Sequence, residues 1–443
     1  MIVSIDKKVR FDWFLFSGVV ILVIIGTLAI YSSTSMLTFK ERIIRTHFIA
    51  LFIGIFFMLF MWIIDYQILD DYSGRIYVFS LFLLVMVLFF GVVDKGSKSW
   101  FRLSFFSVQP SEIARIGLIV YVSSYLSKTK NAVKDFGEMI KLFVYISPFF
   151  VLMLKQPDFS GILITFFPLA VIFFVAGINM IYVYAIILYI LIAALIPFVN
   201  VLIHINPDLM NISIFELIYN ISFGDYQTFI VIFVIWFLGF VFWYFINKLN
   251  PLIKWFNFAV VLIILSLSYI SGIFIKNQIK DYQYKRIISF INPYSDPLGA
   301  GYNIIQARIA LGSGGIRGKG IFSGTQTRLG FIPERHTDFI FSVIGEEMGI
   351  IGSFLILGAY IIILNRIKVI ILLSRNMFGY YLGCGFAGLL MGYIFINIGM
   401  ILGFFPVAGV PLPFVSYGGS NLVASFIMIG ILNSIYARRL AIG

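Results

Sequence analysis

The sequence predicts an all-α polytopic membrane protein, and composition and hydropathy are the observations behind this prediction. Of the 443 residues, 61% are hydrophobic and 12% are charged, and the mean hydropathy is +1.02. A soluble protein of this size needs far more charge on its surface. Long apolar runs recur along the chain, and a backbone inside a bilayer must satisfy its own hydrogen bonds. These runs are therefore expected to be helices.

The first apolar run follows Lys7, Lys8 and Arg10, which place the N-terminus in the cytoplasm by the positive-inside rule. We interpret this run as a retained helix rather than a cleaved signal peptide. Twelve spans with both termini inside are predicted near residues 13–33, 43–64, 76–93, 110–127, 139–155, 159–177, 181–203, 228–246, 255–275, 338–364, 379–403 and 420–437.

The segment 276–337 is predicted to be a large extracellular loop that carries the chemistry. Its many glycines permit positive φ and are expected to let the backbone approach a ligand closely. This loop and the outer loop 94–109 both hold more Lys and Arg than orientation requires. One interpretation is an external site for a diphosphate, and the alternative is attraction to phospholipid headgroups.

The composition also argues against several functional classes. The net charge of +12 indicates anionic lipid or a phosphorylated substrate rather than nucleic acid. The phosphate-binding motifs of nucleotide-dependent proteins are absent from the sequence, so no nucleotide is expected. The histidines at 47, 204 and 336 are scattered and Cys384 is the single cysteine, which argues against a His/Cys zinc site.

The stretch SVQPSEIAR (107–115) opens a predicted span with Pro110 in its first turn. Glu112 lies near the positive end of the helix dipole, and Arg115 follows three residues later on the same face. The pair either lines a polar cavity for substrate or is an interfacial ion pair in a well-capped helix. Taken alone, the stretch leaves both interpretations open.

Two further acidic stretches have competing interpretations. In KQPDFSG (155–161), Asp158 can cap the following helix, which is the simpler explanation. In ERHTDFIFSVIGEEMG (334–349), Asp338 and Glu346 are predicted to share one helix face, and Glu346 and Glu347 enter an apolar span as adjacent acids. Those two acids are either catalytic or structural partners of arginines.

Asp296, in NPYSDPLGAGY, is the best candidate for a catalytic group. Asp-Pro and the nearby glycines indicate a shaped turn, so the carboxylate is expected on a loop, where it either acts chemically or starts an Asx-turn. PVAGVPLPFVSYGGSN (406–421) is uncharged and is predicted to be a re-entrant or extracellular turn over a groove, with Ser416 and Ser420 as polar contacts.

Taken together, these motifs resemble the SEDS family (shape, elongation, division and sporulation), which includes RodA, FtsW and SpoVE. The resemblance runs from residue 107 to the C-terminus in the order QPSEIAR, KQPD, DPLGAGYNIIQARIALGSGGIRGKG, GTQ, PERHTDFIFSVIGEEMG and PFVSYGGSNL. PERHTDF and the GTQ at 324–326 are more similar to the RodA branch.

The resemblance implies an inverting peptidoglycan glycosyltransferase that acts on lipid II at the outer face of the bacterial cytoplasmic membrane, in cell elongation and shape. Its substrates would be lipid II and the growing glycan linked to polyprenyl diphosphate. Asp296 matches the essential aspartate of the family and would be the general base. A divalent cation, Mg²⁺ or Mn²⁺, is a possible cofactor, with Asp296 as a possible ligand. Substrate binding is expected at Glu112, Arg115, Asp158, Arg286, Lys319, Arg335, His336, Asp338 and Ser416.

The chain departs from the family pattern in two places. Arg115 stands where the family usually has Lys, which keeps the charge and changes the hydrogen-bond geometry. The family usually has ten spans in a single domain, so residues 204–250 are predicted to be an inserted hairpin.

The competing function is a lipid II flippase, which many spans and the acids Glu346 and Glu347 would suit. The resemblance also implies a partner, a class B penicillin-binding protein with one membrane span. Gly388 and Gly392 form a G-x-x-x-G pair that either packs against this partner or packs inside the chain.

Overall fold

The computed structural model describes residues 10–94, 97–102, 107–129, 136–178, 180–222, 226–249, 255–278, 288–295 and 300–439. It divides the chain into two compact units, residues 1–177 with 303–443 and residues 178–302. The first unit holds both ends of the chain and most of the motifs described above. The second is a smaller group of helices.

Helices α1–α7 of the first unit are Trp13–Ser33, Lys40–Ile63, Tyr66–Asp71, Ser73–Phe90, Pro110–Lys128, Phe136–Lys155 and Phe159–Val175. In the second unit, α8–α11 are Met180–Ile205, Ser213–Ile221, Tyr226–Leu249 and Trp255–Gln278, with 3₁₀ turns at Pro207–Asn211 and Pro293–Ser295. Helices α12–α16 are Ala300–Ser313, Thr325–Leu329, Ile340–Leu372, Met377–Leu402 and Gly419–Ala437.

Within the described ranges, nine helices are long and apolar enough to cross a membrane. The chain is therefore a multi-pass membrane protein with a predominantly helical fold. A helix occupies the position of each predicted span, but α7 is short, and α5 carries Glu112 and Arg115 among its apolar residues. The count of twelve spans stays a prediction.

The helices of the first unit pack in pairs around a buried centre. Helix α1 packs along α14, α2 along α16, α4 along α5, and α7 along α15. Small residues permit these close approaches: a Cβ on Gly430 of α16 would lie 2.4 Å from the carbonyl oxygen of Met58 on α2. Helices α15 and α16 are the most enclosed of the nine apolar helices, so they form the core of this unit.

Gly388 and Gly392 are buried on α15 and face α7 of the same chain. A Cβ on Gly388 would lie 2.9 Å from the carbonyl oxygen of Phe167, and one on Gly392 would lie 2.8 Å from the Phe167 ring. The internal alternative for this pair is therefore correct. The partner-facing interpretation is wrong because α7 already occupies that surface.

A small antiparallel sheet follows α4. Its strands β1, β2 and β3 are Val92–Asp94, Ser97–Arg102 and Ser107–Val108, paired in that order. The all-α prediction omits this sheet, because strands this short in a polar loop give no signal of membrane-spanning length. The sheet leads directly into the N-terminus of α5, where Glu112 lies.

Helix α14 is broken at Gly349, which has φ +64°. The glycine-rich segment 314–320 lies against the break: Lys319 N–H donates to the Glu346 carbonyl (2.9 Å), and Ile350 N–H donates to the Gly315 carbonyl (2.9 Å). A Cβ on Gly318 would lie 2.1 Å from the Glu347 carbonyl oxygen. Gly314 and Gly318 therefore permit close approach of this segment to α14, and the approach to a ligand that the sequence suggested stays a prediction.

The second unit contains the predicted insertion. Helices α8 and α11 pack together and α10 packs on α11, while the Tyr269 hydroxyl donates to the Ile221 carbonyl at 2.6 Å. Residues 204–250 contribute the 3₁₀ turn, α9 and α10 to this unit. Whether they are an insertion relative to the family, and whether 276–337 is one extracellular catalytic loop, stay predictions.

Candidate active site

Glu112 and Arg115 meet side chains from α15 and α16 at the N-terminus of α5. A Glu112 Oε atom accepts from Arg115 Nη1 at 3.0 Å and from Asn421 Nδ2 at 3.3 Å, and the Tyr393 hydroxyl bonds both members of the ion pair. Glu112 and Arg115 are buried, so Coulomb attraction between them is weakly screened. The structure thus shows an ion pair inside a polar cluster, not at an exposed interface.

The cluster is compact but leaves one donor open. Among the described residues, Arg115 Nε has no hydrogen-bond partner although it is buried. A narrow cavity runs beside the cluster and is lined by Glu112, Tyr393 and Asn421 together with apolar side chains. A buried N–H without a partner costs free energy, so a water molecule or a polar ligand group that reached Arg115 Nε would be stabilised there.

Asp158 connects the second predicted motif to the first. One of its oxygens caps α7 by accepting from the Gly161 N–H at 2.9 Å. The other accepts from Gln109 Nε2 at 3.2 Å and from Ser111 Oγ at 3.3 Å, both beside the start of α5. The capping interpretation is correct, and the same carboxylate also holds the N-termini of α5 and α7 together.

Residues 406–418 re-enter the helix bundle, as one of the two sequence-based alternatives proposed. Val415 reaches the middle of α1, where a Cβ on Gly26 would lie 2.6 Å from its Cα, and the carbonyl of Pro413 accepts from the Tyr360 hydroxyl at 2.5 Å. At the end of this segment, Ser420 Oγ accepts from the Gln109 N–H at 2.8 Å. The YGGSN residues are thereby fixed against the QPSEIAR residues.

The PERHTDF segment crosses the same end of the unit. The His336 carbonyl accepts from the Tyr417 N–H at 2.8 Å, and Asn397 Nδ2 bridges the carbonyls of Asp338 and Val410 at 2.9 and 2.6 Å. Asp338 lies in the turn before α14, which begins at Ile340, so the prediction that Asp338 and Glu346 share one helix face is wrong. Residues 333–339 form turns, in which Glu334 adopts φ +53° and its carbonyl accepts from the Thr337 N–H at 3.1 Å.

Arg335 and Ser416 are buried parts of this junction. Arg335 Nε donates to the Ser33 carbonyl at the end of α1 (2.5 Å), and burial lowers the pKa of its guanidinium. Burial likewise raises the pKa of the neighbouring Tyr417 hydroxyl. Ser416 Oγ accepts from the Leu412 N–H at 2.7 Å and thus closes a turn. The geometry shows structural contacts for both residues, and their substrate-binding roles stay predictions.

Glu346 anchors the loop before α13. It is fully buried and accepts from Lys319 Nζ (2.9 Å), from the N–H groups of Gln326 and Thr327 (2.8 and 2.9 Å), and from two threonine hydroxyls. Glu347 accepts from the Ser32 hydroxyl on α1. The structural interpretation of this acid pair is thus supported, although the cation is Lys319 rather than an arginine.

Two predicted residues lie outside the described ranges. Asp296, the predicted base, falls in 296–299, and Arg286 falls in 279–287. Within the ranges that are described, no group of three or more His, Cys, Asp or Glu side chains could hold a metal ion. The described residues therefore do not form a site for Mg²⁺ or Mn²⁺, and the predicted cation stays a prediction that concerns Asp296.

Tyr393 and Asn421 are the members of the cluster that sequence reasoning missed. Tyr393 lies four residues before Asn397 on α15, so the two polar side chains share one face of an otherwise apolar helix. That spacing is a usable signal, since polar side chains in a span usually face the protein interior. Asn421 follows Ser420, which the sequence had already marked as a polar contact.

A bundle of membrane-crossing helices with a buried polar cluster at the N-termini of α5, α7 and α16 defines a polytopic membrane protein with a candidate site at one end. Comparison with known proteins assigns its family. The chain matches the family described as "Cell cycle protein" (FtsW, RodA and SpoVE) over residues 12–208 and 218–440. The chain therefore belongs to the SEDS family.

Its relatives include enzymes of both main branches. The chain is 31% identical to peptidoglycan glycosyltransferase MrdB of Escherichia coli K12 over 388 residues, which is 87% of this chain and 83% of the relative. It is 30% identical to peptidoglycan glycosyltransferase RodA of Treponema pallidum, covering 97% of this chain and 98% of that protein. A probable peptidoglycan glycosyltransferase FtsW of Trichlorobacter lovleyi is 29% identical.

Solved structures show the same fold. One is described as "Structural coordination of polymerization and crosslinking by a peptidoglycan synthase complex", and its matching chain has a TM-score of 0.64, 26% identity, and coverage of 97% of this chain and 99% of that one. RodA of Thermus thermophilus gives a TM-score of 0.59 at 23% identity, with coverage of 98% and 100%. The sequence similarity to the MrdB and RodA enzymes agrees with the predicted resemblance to the RodA branch.

Proposed function

We propose that this chain is a peptidoglycan glycosyltransferase that polymerises lipid II at the outer face of the bacterial cytoplasmic membrane. Membership of a family whose relatives carry that enzyme name supports the reaction class. The observation that carries the proposal is the convergence of Glu112, Arg115 and Asp158 with the YGGSN and PERHTDF segments at one end of the first unit.

In the proposed reaction, a hydroxyl of the lipid II sugar attacks the anomeric carbon of the growing glycan. The bond from that carbon to the polyprenyl diphosphate breaks, and the diphosphate leaves with the electron pair. The Asp296 carboxylate accepts the proton of the attacking hydroxyl. A diphosphate leaves without protonation, so a single base is enough for a transfer with inversion, unlike the paired carboxylates of glycoside hydrolysis.

The leaving diphosphate needs positive charge around it. Arg308, Arg317 and Arg328 are exposed in the described part of the catalytic segment. Lys319 forms an ion pair with Glu346, so we propose that it fixes the conformation of the loop and also contributes positive charge there. A divalent cation at Asp296 would supply further charge, but the described residues form no metal site and no step depends on one.

Glu112, Arg115 and Asp158 are proposed to bind polar groups of the substrate. Helix N-termini present unpaired N–H groups and a partial positive charge, which favour phosphate and carbonyl oxygens. The open Nε of Arg115 adds a fixed donor beside them. Arg335, His336, Asp338 and Ser416 are proposed to bind substrate as well, and the same role is proposed for Arg286.

The flippase alternative loses one of its two supports in this geometry. It relied on the number of spans and on Glu346 and Glu347 as acids within a span. Glu346 instead accepts five hydrogen bonds, and Glu347 bonds Ser32, so both acids are fixed to loop and helix ends. Transport of a charged headgroup requires acids that change partners, whereas these acids tie the loop in place.

A direct assay of polymerisation tests the proposal. The protein purified in detergent, where no flipping is needed, is expected to convert lipid II into glycan strands, which are resolved by electrophoresis. Asp296→Asn should make no polymer at matched expression and monodispersity, because it removes the base without altering the size of the side chain. Polymer at the wild-type rate from Asp296→Asn would exclude the proposed base, and no polymer from the wild type would exclude the reaction.

A further inference from the structure

A groove between α1 and α2 is not used by the reaction described above. Thr27, Leu28, Ile30 and Tyr31 of α1 form one wall, and Ile44, His47 and Phe48 of α2 form the other. It exists because α1 packs mainly on α14 and α2 mainly on α16, so the two helices make few contacts with each other. We call this feature the α1–α2 groove.

The interior of the α1–α2 groove is apolar. Its two polar groups at depth satisfy one another, since Thr27 Oγ1 lies 3.1 Å from His47 Nε2 and also donates to the Val23 carbonyl at 2.7 Å. The cavity volume is about 140 Å³, close to that of an engineered apolar cavity that stays dry and binds benzene. The groove thus fits a branched hydrocarbon segment rather than water.

The groove is open to the surrounding lipid. Leu28, Tyr31 and Phe48 are 39%, 46% and 53% exposed along its edges. A hydrocarbon chain that lies in the bilayer can therefore enter from the side without crossing the protein.

Cations gather at one end of the α1–α2 groove. Lys40 Nζ lies 3.8 Å above the Tyr31 ring and one helical turn before Ile44, and Arg45 lies one turn before Phe48. By the predicted topology this end faces outward, where the positive-inside rule does not call for cations. An anionic group above the groove would account for them.

The same end adjoins the candidate active site. Arg335 Nε of the PERHTDF segment donates to the Ser33 carbonyl at the end of α1, beside Tyr31 of the groove. Tyr417 packs on the His336 ring at 5.5 Å and donates its N–H to the His336 carbonyl. A lipid in the groove would therefore hold its headgroup beside the PERHTDF and YGGSN segments.

We propose that the α1–α2 groove binds the polyprenyl chain of a diphosphate-linked substrate, with the diphosphate held by Lys40 at the groove and attracted by the net positive charge of the first two turns of α2. Lys40, Arg42 and Arg45 outweigh Glu41, the acid of the same turns, so this end of α2 has a net positive charge. A diphosphate carries more negative charge than the single phosphodiester of a glycerophospholipid, so this net charge favours the polyprenyl lipid. This inference rests on the proposed function and adds a location for one of its two lipid substrates.

Photolabelling tests the location without requiring catalysis. The full chain is reconstituted in phosphatidylcholine nanodiscs with a diazirine-bearing polyprenyl diphosphate, and labelled peptides are identified by mass spectrometry. Label is expected within residues 27–48 and should be displaced by unlabelled polyprenyl diphosphate but not by phosphatidylglycerol. Label confined to other helices, or equal displacement by phosphatidylglycerol, would overturn the inference.

Filling the groove provides the second measurement. Leu28→Trp, at a partly exposed position with little risk to folding, should raise the KM for lipid II about tenfold, the factor for losing the burial of about two methylene groups. Ile361→Trp places the same bulk on a lipid-exposed position of α14 and should leave the KM unchanged. An unchanged KM in both variants would count against the groove.

The charged end is tested with a matched pair of cation–aromatic contacts. Lys40→Ala should weaken displacement by polyprenyl diphosphate, whereas Arg75→Ala, which removes a cation 5.0 Å above the Tyr72 ring, should not. If the groove is labelled but the protein makes no glycan, the lipid site stands and the proposed reaction is overturned. If the protein makes glycan but the groove is not labelled, the proposed reaction stands and the lipid site is overturned.

Discussion

At the residue scale, the sequence predicts the ion pair between Glu112 and Arg115 but not the surroundings of that pair. The spacing of the two residues on a helix predicts their ion pair, and the structure confirms it. Burial and the hydroxyl of Tyr393 could not be inferred, because they depend on α15 and α16 packing against α5. The spacing of two residues along a helix identifies neighbours on that helix, but it does not identify partners that are distant in the sequence.

Glu112 and Arg115 are expected to couple energetically. Breaking a buried ion pair by removing one partner costs about 3–5 kcal/mol, since it leaves an uncompensated charge. The double variant Glu112→Ala with Arg115→Ala should therefore lose less than the sum of the single variants, by about 0.5–3 kcal/mol. A double-mutant cycle on thermal stability measures the difference, and strict additivity would show that the residues act independently.

Tyr393→Phe should separate catalysis from stability. The change removes only the hydroxyl that bonds Glu112 and Arg115, so the pair loses its fixed geometry and the rate of lipid II polymerisation should fall about tenfold or more. Tyr77→Phe is the matched control, because it removes a buried hydroxyl that donates to the Tyr145 carbonyl at 2.9 Å, away from the cluster. Similar loss of activity in both variants would reduce Tyr393 to a packing residue.

At the scale of elements, the helices were predictable and their interruptions were not. Apolar runs of sufficient length mark α1, α2 and α4 because the bilayer imposes that length. The break in α14 at Gly349 could not be predicted in this way, because the apolar residues of the helix continue on both sides of the break. The glycines of 314–320 have high conformational freedom, but the sequence does not distinguish a glycine that approaches a ligand from one that approaches another backbone segment.

Gly349→Ala should destabilise the protein by about 1–3 kcal/mol, because its φ of +64° is unfavourable for an L residue and a Cβ would lie 2.4 Å from the Gly318 nitrogen. Gly358→Ala on the same helix is the control: a Cβ there meets nothing within 4 Å, so the change should stabilise by about 0.5–1 kcal/mol. Thermal unfolding followed by size-exclusion chromatography compares them, and equal shifts would contradict the assigned role of the break.

At the scale of the whole molecule, the family and its enzyme class followed from ordered motifs, whereas the arrangement around the site did not. QPSEIAR, KQPD, PERHTDF and YGGSN are far apart in the sequence and meet at one end of the first unit. The packing of α5 against α7, α15 and α16 brings the motifs at the ends of these helices together. Asp296 remains assigned by resemblance, because its segment lies outside the described residues.

Crosslinked cell wall is expected to require a partner. The proposed transfer forms a glycosidic bond and no acyl-enzyme, whereas peptide crosslinking needs an activated nucleophile that forms one. The similar chain of a solved structure belongs to a peptidoglycan synthase complex described as coordinating polymerization and crosslinking. A class B penicillin-binding protein stays the predicted partner of this chain. Lipid II treated with this protein alone should yield, after muramidase digestion, only uncrosslinked products by mass spectrometry. Addition of the partner should produce crosslinked dimers that penicillin abolishes while glycan length is retained. Gly388 and Gly392 of α15 pack internally, so the partner is expected to dock on a different surface. Crosslinked dimers formed by this chain alone would refute the division of labour.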